Sequence, residues 1–387
     1  MDHEKKLHVV VATGEWDQDN LRYRRHRLAE YLADKPDTTE VIWVCPSVTN
    51  KTNNFTNLVN GIKQFTINDL HPNKLLRFGR YFDIFYRSKL VELRDYLLQQ
   101  RETCTLCLWI TFPGFPGMLD LMNWDRTTYD CSDLWGSSIS GSNNLVMTLR
   151  SKSIKHAEAR VAKNVDKIFC TSDFLHDNLK KKYNLTETPH VLENGVEYDL
   201  FQTDAKPKGL DINSELVLGF IGGIKPKLDF ELLHQLMVSK PEWHLLLVGP
   251  DGTNDHPDFK QLINLSNVTW VGKVPPNEVP LYMNSLDIGI LPYKSSTYNN
   301  AVFPLKLFEF LGSGKPVVGM NLPSTAKFKE ENVYEYEENP TAEGFSTLCK
   351  KIADTVRQEK WIVRRKALAK EKDWINIFNE MYKEVLK

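Results

Sequence analysis

The stretch FPLKLFEFLGSGKPVV, Phe303 to Val318, decides the fold of this chain. It reads as a loop, a short helix carrying Glu309, a glycine stop at Gly312 and Gly314, and then a buried strand. A carboxylate on the first turns of a helix in an α/β domain can accept both hydroxyls of a ribose, and Lys306 one turn earlier can meet a phosphate. That is the chemistry of a nucleotide-sugar site. The alternative is an ordinary αβ unit with a surface Lys and Glu.

Outward from this stretch, apolar β-rich runs alternate with helical stretches along the whole chain, the pattern of parallel sheets covered by helices on both faces. In the first series LHVVVAT (Leu7 to Thr13), TEVIWVCP (Thr39 to Pro46), CTLCLWITFP (Cys104 to Pro113), TTYDCSDL (Thr127 to Leu134) and DKIFCTSD (Asp166 to Asp173) read as strands. The sequence then turns polar, with Pro and Gly, through VLENGVEYDLF and DAKPKGLDINSE. A second series follows: LVLGFIGG (Leu216 to Gly223), WHLLLVGP (Trp243 to Pro250), NVTWVGKV (Asn267 to Val274), LDIGILPY (Leu286 to Tyr293) and KPVVGM (Lys315 to Met320). The expected class is α/β, with two doubly wound Rossmann-like domains facing across a cleft. The boundary is expected at 203/204, giving residues 1–203 as the first domain and 204–370 as the second. Residues 371–387 form a helix with Trp374, Phe378, Tyr382 and Val385 on one face, a stripe that must be buried somewhere.

The chain has 387 residues, more than one core usually organises. Its 49 basic and 50 acidic side chains give no global field for nucleic acid. The apolar run Leu7 to Ala12 is too short for a signal peptide's core or a membrane span, and no later run is long enough, so the expected location is cytoplasmic. Of the six cysteines, Cys45, Cys104, Cys107 and Cys170 lie in apolar strands and read as small hydrophobes. Cys104 and Cys107 make a C-x-x-C, but that spacing on a strand turns the two thiols to opposite faces.

Ligands in open α/β sheets sit beyond the carboxyl ends of the strands. After the first strand come Gly14, Glu15 and Trp16, then Arg22, Arg24, Arg25 and Arg27. Gly14 can admit a phosphate or the reacting sugar, and Glu15, Trp16 and Arg24 are acceptor-side candidates. The alternative for the arginines is a solvated helix face. In YDCSDLW, Asp130 and Asp133 with Trp135 suit sugar hydroxyls, and one acid can serve as general base; the alternative is that either caps the following turn. In FIGGIKPKLDFELL, Gly222, Gly223, Lys225 and Lys227 precede a helix and form a candidate diphosphate cradle. The full dinucleotide fingerprint is missing, so NAD is not expected. GSGKP lacks the rest of a Walker loop, and Gly312 reads as a helix terminator. Asp17 and Asp19 form a D-x-D read as an exposed turn, with no obligatory metal or other cofactor.

Taken together, the order of these features resembles GT-B fold glycosyltransferases over nearly the whole chain. ENGVEYDLF (Glu193 to Phe201) is similar to that group's N-G-V-D hinge; LLLVGPDG, NVTWVGKVPPNEVPLYMNSLDIGILPY and FPLKLFEFLGSGKPVV follow in the family's order, and the Trp374 helix is similar to its terminal crossing helix. More narrowly, ATGEWDQDNLRYRRHRLAEYL and YDCSDLW resemble the teichuronic acid biosynthesis glycosyltransferases of Gram-positive bacteria. The resemblance implies that the first domain is the acceptor side, that the second binds the nucleotide-sugar and that the terminal helix packs back on the first. It also implies a UDP-sugar donor, a hydroxyl acceptor on a cell-surface polysaccharide or lipid-linked polymer, retention of anomeric configuration and no obligatory metal. By position it puts Glu309 on the donor ribose, Asn300, Phe303, Pro304, Leu305 and Lys306 along diphosphate and sugar, and Gly272 to Val274 near the base. Gly249 and Tyr293, ending their strands, join the donor set, and Lys306 joins Asp130 and Asp133 in the catalytic one. The chain departs from the family where its first carboxylate would stand, at Ala301, and where a histidine would follow the WITFP strand; Lys225 or Lys227 stands in for the family's basic pair. These departures leave a non-catalytic sugar-nucleotide binder as an alternative, alongside an epimerase of the same fold.

One further partner is expected. KLLRFGRYFDIFYRSKLVELRDYLL, Lys74 to Leu98, interleaves basic and aromatic residues as a peripheral contact with the inner membrane face would, or is a helix with its apolar side in the core.

Overall fold

Fourteen strands form two sheets in a computed structural model that describes residues 5–18, 22–47, 54–59, 61–68, 77–137 and 145–387. The chain divides into two compact units: Met1–Glu193 with Ile377–Lys387, and Asn194–Asn376.

In the first unit the strands are β1 (Lys6–Val11), β2 (Thr38–Ser47), β3 (Asn54–Asn57), β4 (Ile62–Asn68), β5 (Thr105–Ile110), β6 (Arg126–Cys131), β7 (Lys167–Cys170) and β8 (His190–Val191). Their spatial order is β3-β4-β2-β1-β5-β6-β7-β8, parallel except for the β3 hairpin. The β1, β2 and β5 residues are almost wholly buried, which is why these runs read as continuously apolar rather than alternating. The second unit holds β9 (Leu216–Ile221), β10 (Trp243–Val248), β11 (Val268–Gly272), β12 (Ile288–Pro292), β13 (Val317–Met320) and β14 (Tyr334–Glu337), all parallel, in the order β11-β10-β9-β12-β13-β14. In each sheet the order reverses beside the first strand, at β1/β5 and β9/β12, and such switch points leave a crevice at the carboxyl ends.

The opening stretch folds as its pattern predicts, into helix Lys306–Gly312, a turn and β13. A Cβ on Gly289 of β12 would lie 2.4 Å from the Phe310 ring. The glycine therefore lets the helix seat on the strand, and Leu307, Phe308, Phe310 and Leu311 are all buried. The chain enters the second unit at Asn194, ahead of the 203/204 boundary expected from composition. Backbone explains this: Val196 bonds Lys372 and Trp374, and Phe201 joins the second unit's core.

The last helix, Trp374–Leu386, starts in the second unit and from Ile377 belongs to the first. Ile377, Phe378, Met381, Tyr382 and Val385 are buried, each worth about 1.5–3 kcal/mol as an upper value. Phe378 packs on Tyr31 at 5.4 Å between ring centroids, and Tyr382 donates to Asp37 at 3.2 Å.

One stretch and four strands differ from expectation. The Lys74–Leu98 stretch is not one amphipathic helix: 74–76 lie outside the described residues, and 3-10 turns at Gly79–Tyr81, Asp83–Phe85 and Arg87–Leu90 precede helix Val91–Gln100. Strands β3, β4, β8 and β14 were not expected. β14 reads YEYE, yet Glu335 is buried with Lys351 3.0 Å away, so the polar letters hide an interior position.

Candidate active site

At the carboxyl ends of β9, β10 and β11 three turns interlock. Gly222, Gly249 and Gly272 follow or end these strands with φ of 155°, 142° and 83°. The Gly222 amide donates to Val248 at 2.8 Å, and the Gly249 amide to Gly272 at 2.7 Å. A Cβ on Gly249 would stand 1.9 Å from the Gly222 carbonyl oxygen, so only glycine lets these turns abut. Trp270 caps the arrangement by donating to the Gly249 carbonyl at 3.0 Å.

The Gly222–Leu228 segment is stitched to the end of β12. The Lys294 amide donates to Lys227 at 2.9 Å, and the Asn299 carboxamide donates to Lys227 and Lys294 carbonyls at 3.2 and 2.7 Å. Asn299 is fully buried, and its Oδ1 has no hydrogen-bond partner among the described residues. Around this frame the lysines gather. Lys306 Cε lies 3.5 Å from where a Cβ of Gly222 would be, Lys225 Cε 3.4 Å from that of Gly223, and Lys227 Nζ 5.1 Å from the Tyr293 ring centre. Burial pushes the Tyr293 phenol far above its ordinary value while Lys306 pulls it down, so the group stays neutral. Glu309 sits one turn after Lys306, 14% exposed in its side chain, and takes the Lys306 ammonium.

Helix Thr297–Ala301, the loop from it to helix Lys306–Gly312 and the turn after β11 carry the remaining donor candidates. Phe303 is buried and stacks on Phe308 at 5.6 Å; Pro304 is buried, Asn300, Leu305 and Val274 are half-buried. Asn194 donates to the Phe303 carbonyl at 2.8 Å. Ala301, where the resemblance has its first carboxylate, is buried and ends its helix. One expectation changes here. The helix after the glycine turn, Phe230–Ser239, is already capped by Asp229, whose carboxylate accepts the Leu232 amide at 3.0 Å. The Asp229 carboxylate brings a negative charge to that helix end, so an anion at this turn would rely more on the lysines than on the helix.

In the first unit the β1 end holds Gly14, Glu15 and Trp16. Gly14 accepts from Trp43 Nε1 at 3.0 Å, and Glu15 accepts from the Ser47 hydroxyl. Trp16 was expected on the acceptor, but it is 2% exposed and packs edge-on against Trp43 at 4.9 Å and His26 at 5.0 Å. It is a core residue. Arg24 and Asp130 were expected on the acceptor and as a base. They instead form a buried ion pair, 5% and 1% exposed, with Arg24 Nε 3.0 and 2.8 Å from the two Asp130 oxygens and Nη1 2.8 Å from the Glu193 carbonyl. Burial on both sides makes the pair structural. Asp133 is half-buried and accepts the Leu134 amide at 2.8 Å, the turn-capping alternative. Trp135, half-buried, packs beside Phe112 and Tyr81, and its indole nitrogen has no hydrogen-bond partner among the described residues.

The other motifs resolve locally. Lys315 of GSGKP donates to the Asn284 carbonyl at 3.5 Å, and burial lowers its amine to about 8. Asp17 pairs with Arg22 at 3.4 Å; Asp19 lies outside the described residues. All six cysteines are buried, and none of them is in a disulfide among the described residues.

A curated relative from Bacillus subtilis (strain 168), named "Putative teichuronic acid biosynthesis glycosyltransferase TuaH", is 49% identical over 98% of this chain and 97% of its own. The family described as "Glycosyl transferases group 1" matches residues 215–354. The chain belongs to the group 1 glycosyl transferases. Solved structures agree on the GT-B fold. A sucrose-phosphate synthase from Thermosynechococcus elongatus superposes with a TM-score of 0.70 at 13% identity, covering 99% of both chains. HepE from Anabaena, solved in complex with UDP and glucose, gives 0.67 at 14% identity over 98% of this chain and 99% of its own. The site in the second unit of this glycosyltransferase falls within the matched residues apart from Asn194. No helix among the described residues is long and apolar enough to cross a membrane.

Asn194 and Asn299, which hold the donor loop and the glycine turn, were absent from the sequence-derived set. The signals were slight: Asn194 is the asparagine of the hinge motif, quoted there without a site role, and Asn299 is adjacent to Asn300.

Proposed function

We propose that this glycosyltransferase moves a sugar from a UDP-sugar to a hydroxyl of a cell-surface polysaccharide or lipid-linked acceptor, working in the cytoplasm. The observation that carries the reading is the Lys306–Glu309 pair beside the Gly222–Gly223 turn, with Lys225 and Lys227 close by. Without ligand, Lys306 neutralises Glu309. A bound diphosphate competes for that ammonium and leaves the Glu309 carboxylate to accept the two ribose hydroxyls. As the bond from sugar to diphosphate breaks, charge grows on the leaving phosphate, and Lys306 with Lys225 or Lys227 stabilises it more in the transition state than in the ground state.

The UDP preference and teichuronic-acid-type acceptor draw support from the curated relative's name and from HepE's ligand. Retention of configuration and metal independence rest on the family resemblance. Asp133 and Trp135, at the end of β6, are the first unit's acceptor-side candidates, with Glu15.

The test is UDP release from a panel of UDP-sugars with and without acceptor glycans, in chelator and with added divalent cation. Product anomers read out the stereochemistry. Glu309→Gln should weaken UDP binding about 10- to 100-fold, the loss of two charge-assisted hydrogen bonds. Lys306→Ala should lower kcat about 100-fold. Unchanged UDP affinity in Glu309→Gln removes the ribose assignment.

A further inference from the structure

We propose that the first unit docks on an anionic lipid bilayer through residues 82–98 and the adjoining helix Leu145–Asn164. The inference rests on the proposed function in that it names the surface where a lipid-linked acceptor would be met, but it uses none of the donor residues.

Of the thirteen large apolar side chains exposed among the described residues, five fall in this one stretch: Phe82, Ile84, Phe85, Val91 and Leu98. Ile84 is the most open of all, at 84%. The stretch is firmly anchored from beneath. Tyr81, Tyr86, Leu90, Leu93 and Leu97 are buried, so the outward residues are surplus to the core rather than loosely packed parts of it. The turn that presents Ile84 is clamped on both sides. Arg160 takes both Asp83 oxygens at 2.9 Å, and the Tyr86 hydroxyl donates to Asp83 at 2.6 Å while accepting the Gly117 amide at 2.7 Å.

The charges favour an anionic surface. Arg160 neutralises Asp83 and also reaches Asp120, removing the acids closest to Ile84. Exposed Arg87 and Arg94 alternate with Val91 and Leu98 at helical spacing, and Arg94 holds Asp95 at 3.1 Å; Glu92 is the remaining acid of the stretch. Helix Leu145–Asn164, tied to this patch by Arg160, adds Arg150, Lys152, Lys155 and Lys163 with exposed Leu149. Its one acid, Glu158, is buried and occupied by Tyr129, Tyr183 and Lys182. Apolar side chains that protrude among long basic ones can enter the headgroup boundary while the cations meet phosphates.

The experiment is flotation of the full chain with phosphatidylcholine vesicles and with vesicles of rising phosphatidylglycerol content. Binding should rise with anionic fraction and fall with salt. Arg87→Glu and Arg94→Glu should each lower partition at least about fivefold, and Ile84→Glu about tenfold or more; Leu98→Glu is the second apolar variant should Ile84→Glu melt early. Val238→Glu, exposed on the second unit, should bind as wild type. No binding to anionic vesicles, or binding indifferent to these four substitutions, overturns the proposal. Binding confined to native membranes and lost on protease treatment assigns the patch to a protein and overturns it too. UDP binding measured on the same preparations separates the two readings: its absence with intact vesicle binding refutes the donor site alone.

Discussion

Asp130→Asn separates a structural acid from a catalytic one. The Asp130 carboxylate is 1% exposed, and both oxygens accept from Arg24 Nε, at 3.0 and 2.8 Å. Replacing it by a neutral amide leaves a guanidinium that is 5% exposed without its counter-charge. Breaking a buried pair this way costs about 3–5 kcal/mol, and the amide, which keeps one acceptor, belongs near the lower end. For a unit of this size each kcal/mol is about 2–4 °C in Tm, so the first unit's transition should fall by about 6–12 °C. Arg24→Met should cost more than Asp130→Asn, because it strands the carboxylate and also frees the Glu193 carbonyl, held at 2.8 Å. The double variant should cost less than the sum of the singles by about 1–3 kcal/mol, since the second substitution removes the orphaned charge. Calorimetry on the full chain, with UDP-sugar kinetics on the same samples, reads all three. If Asp130→Asn melts within about 1 °C of wild type while kcat drops about 100-fold or more, the residue is a base and the structural assignment fails.

Three further outcomes follow from named contacts. His8 is buried and accepts Trp109 Nε1 at 3.1 Å on Nδ1, so a proton there would meet a donor; burial, with Asp37 opposing and Lys6 assisting, lowers it from 6.5 to about 3. The unfolded chain binds that proton first as pH falls below 6.5, so stability should drop by about 1.4 kcal/mol per pH unit from there down to 3, and His8→Leu should flatten urea-midpoint profiles by that slope; an unchanged slope refutes it. Gly249→Ala should lower expression and Tm sharply, as its Cβ would meet the Gly222 oxygen at 1.9 Å, and near-native melting with intact UDP binding would show that the turns separate freely. Asn194→Ala, which releases the Phe303 carbonyl, should raise KM for donor about threefold to tenfold with little change in Tm, whereas an equal effect on kcat alone would detach this contact from donor placement.

The amino-acid sequence by itself determined the alternation of strands and helices, the two-sheet plan and the helix that carries Lys306 and Glu309. Those signals are local: apolar runs such as Leu7 to Ala12 and Leu216 to Ile221, turn glycines, and a periodicity that survives any packing. It also placed Trp374–Leu386 as a helix with one apolar face. Only tertiary structure decided which polar residues are spent on the fold. Arg24 and Asp130 stand 106 positions apart and find each other across strands, and Trp16 turns inward because Trp43 and His26 wait beneath it. Asn299 and Asn194 matter through carbonyls at Lys227 and Phe303, far away in sequence. Ile84 lies open although its neighbours Tyr81 and Tyr86 are buried, because the extended Phe82 breaks the chain into separate 3-10 turns, Gly79–Tyr81 and Asp83–Phe85, and so breaks the register in which i and i+3 would share a side. A side chain's type states what it can bind, but its accessibility depends on long-range packing that no local pattern encodes.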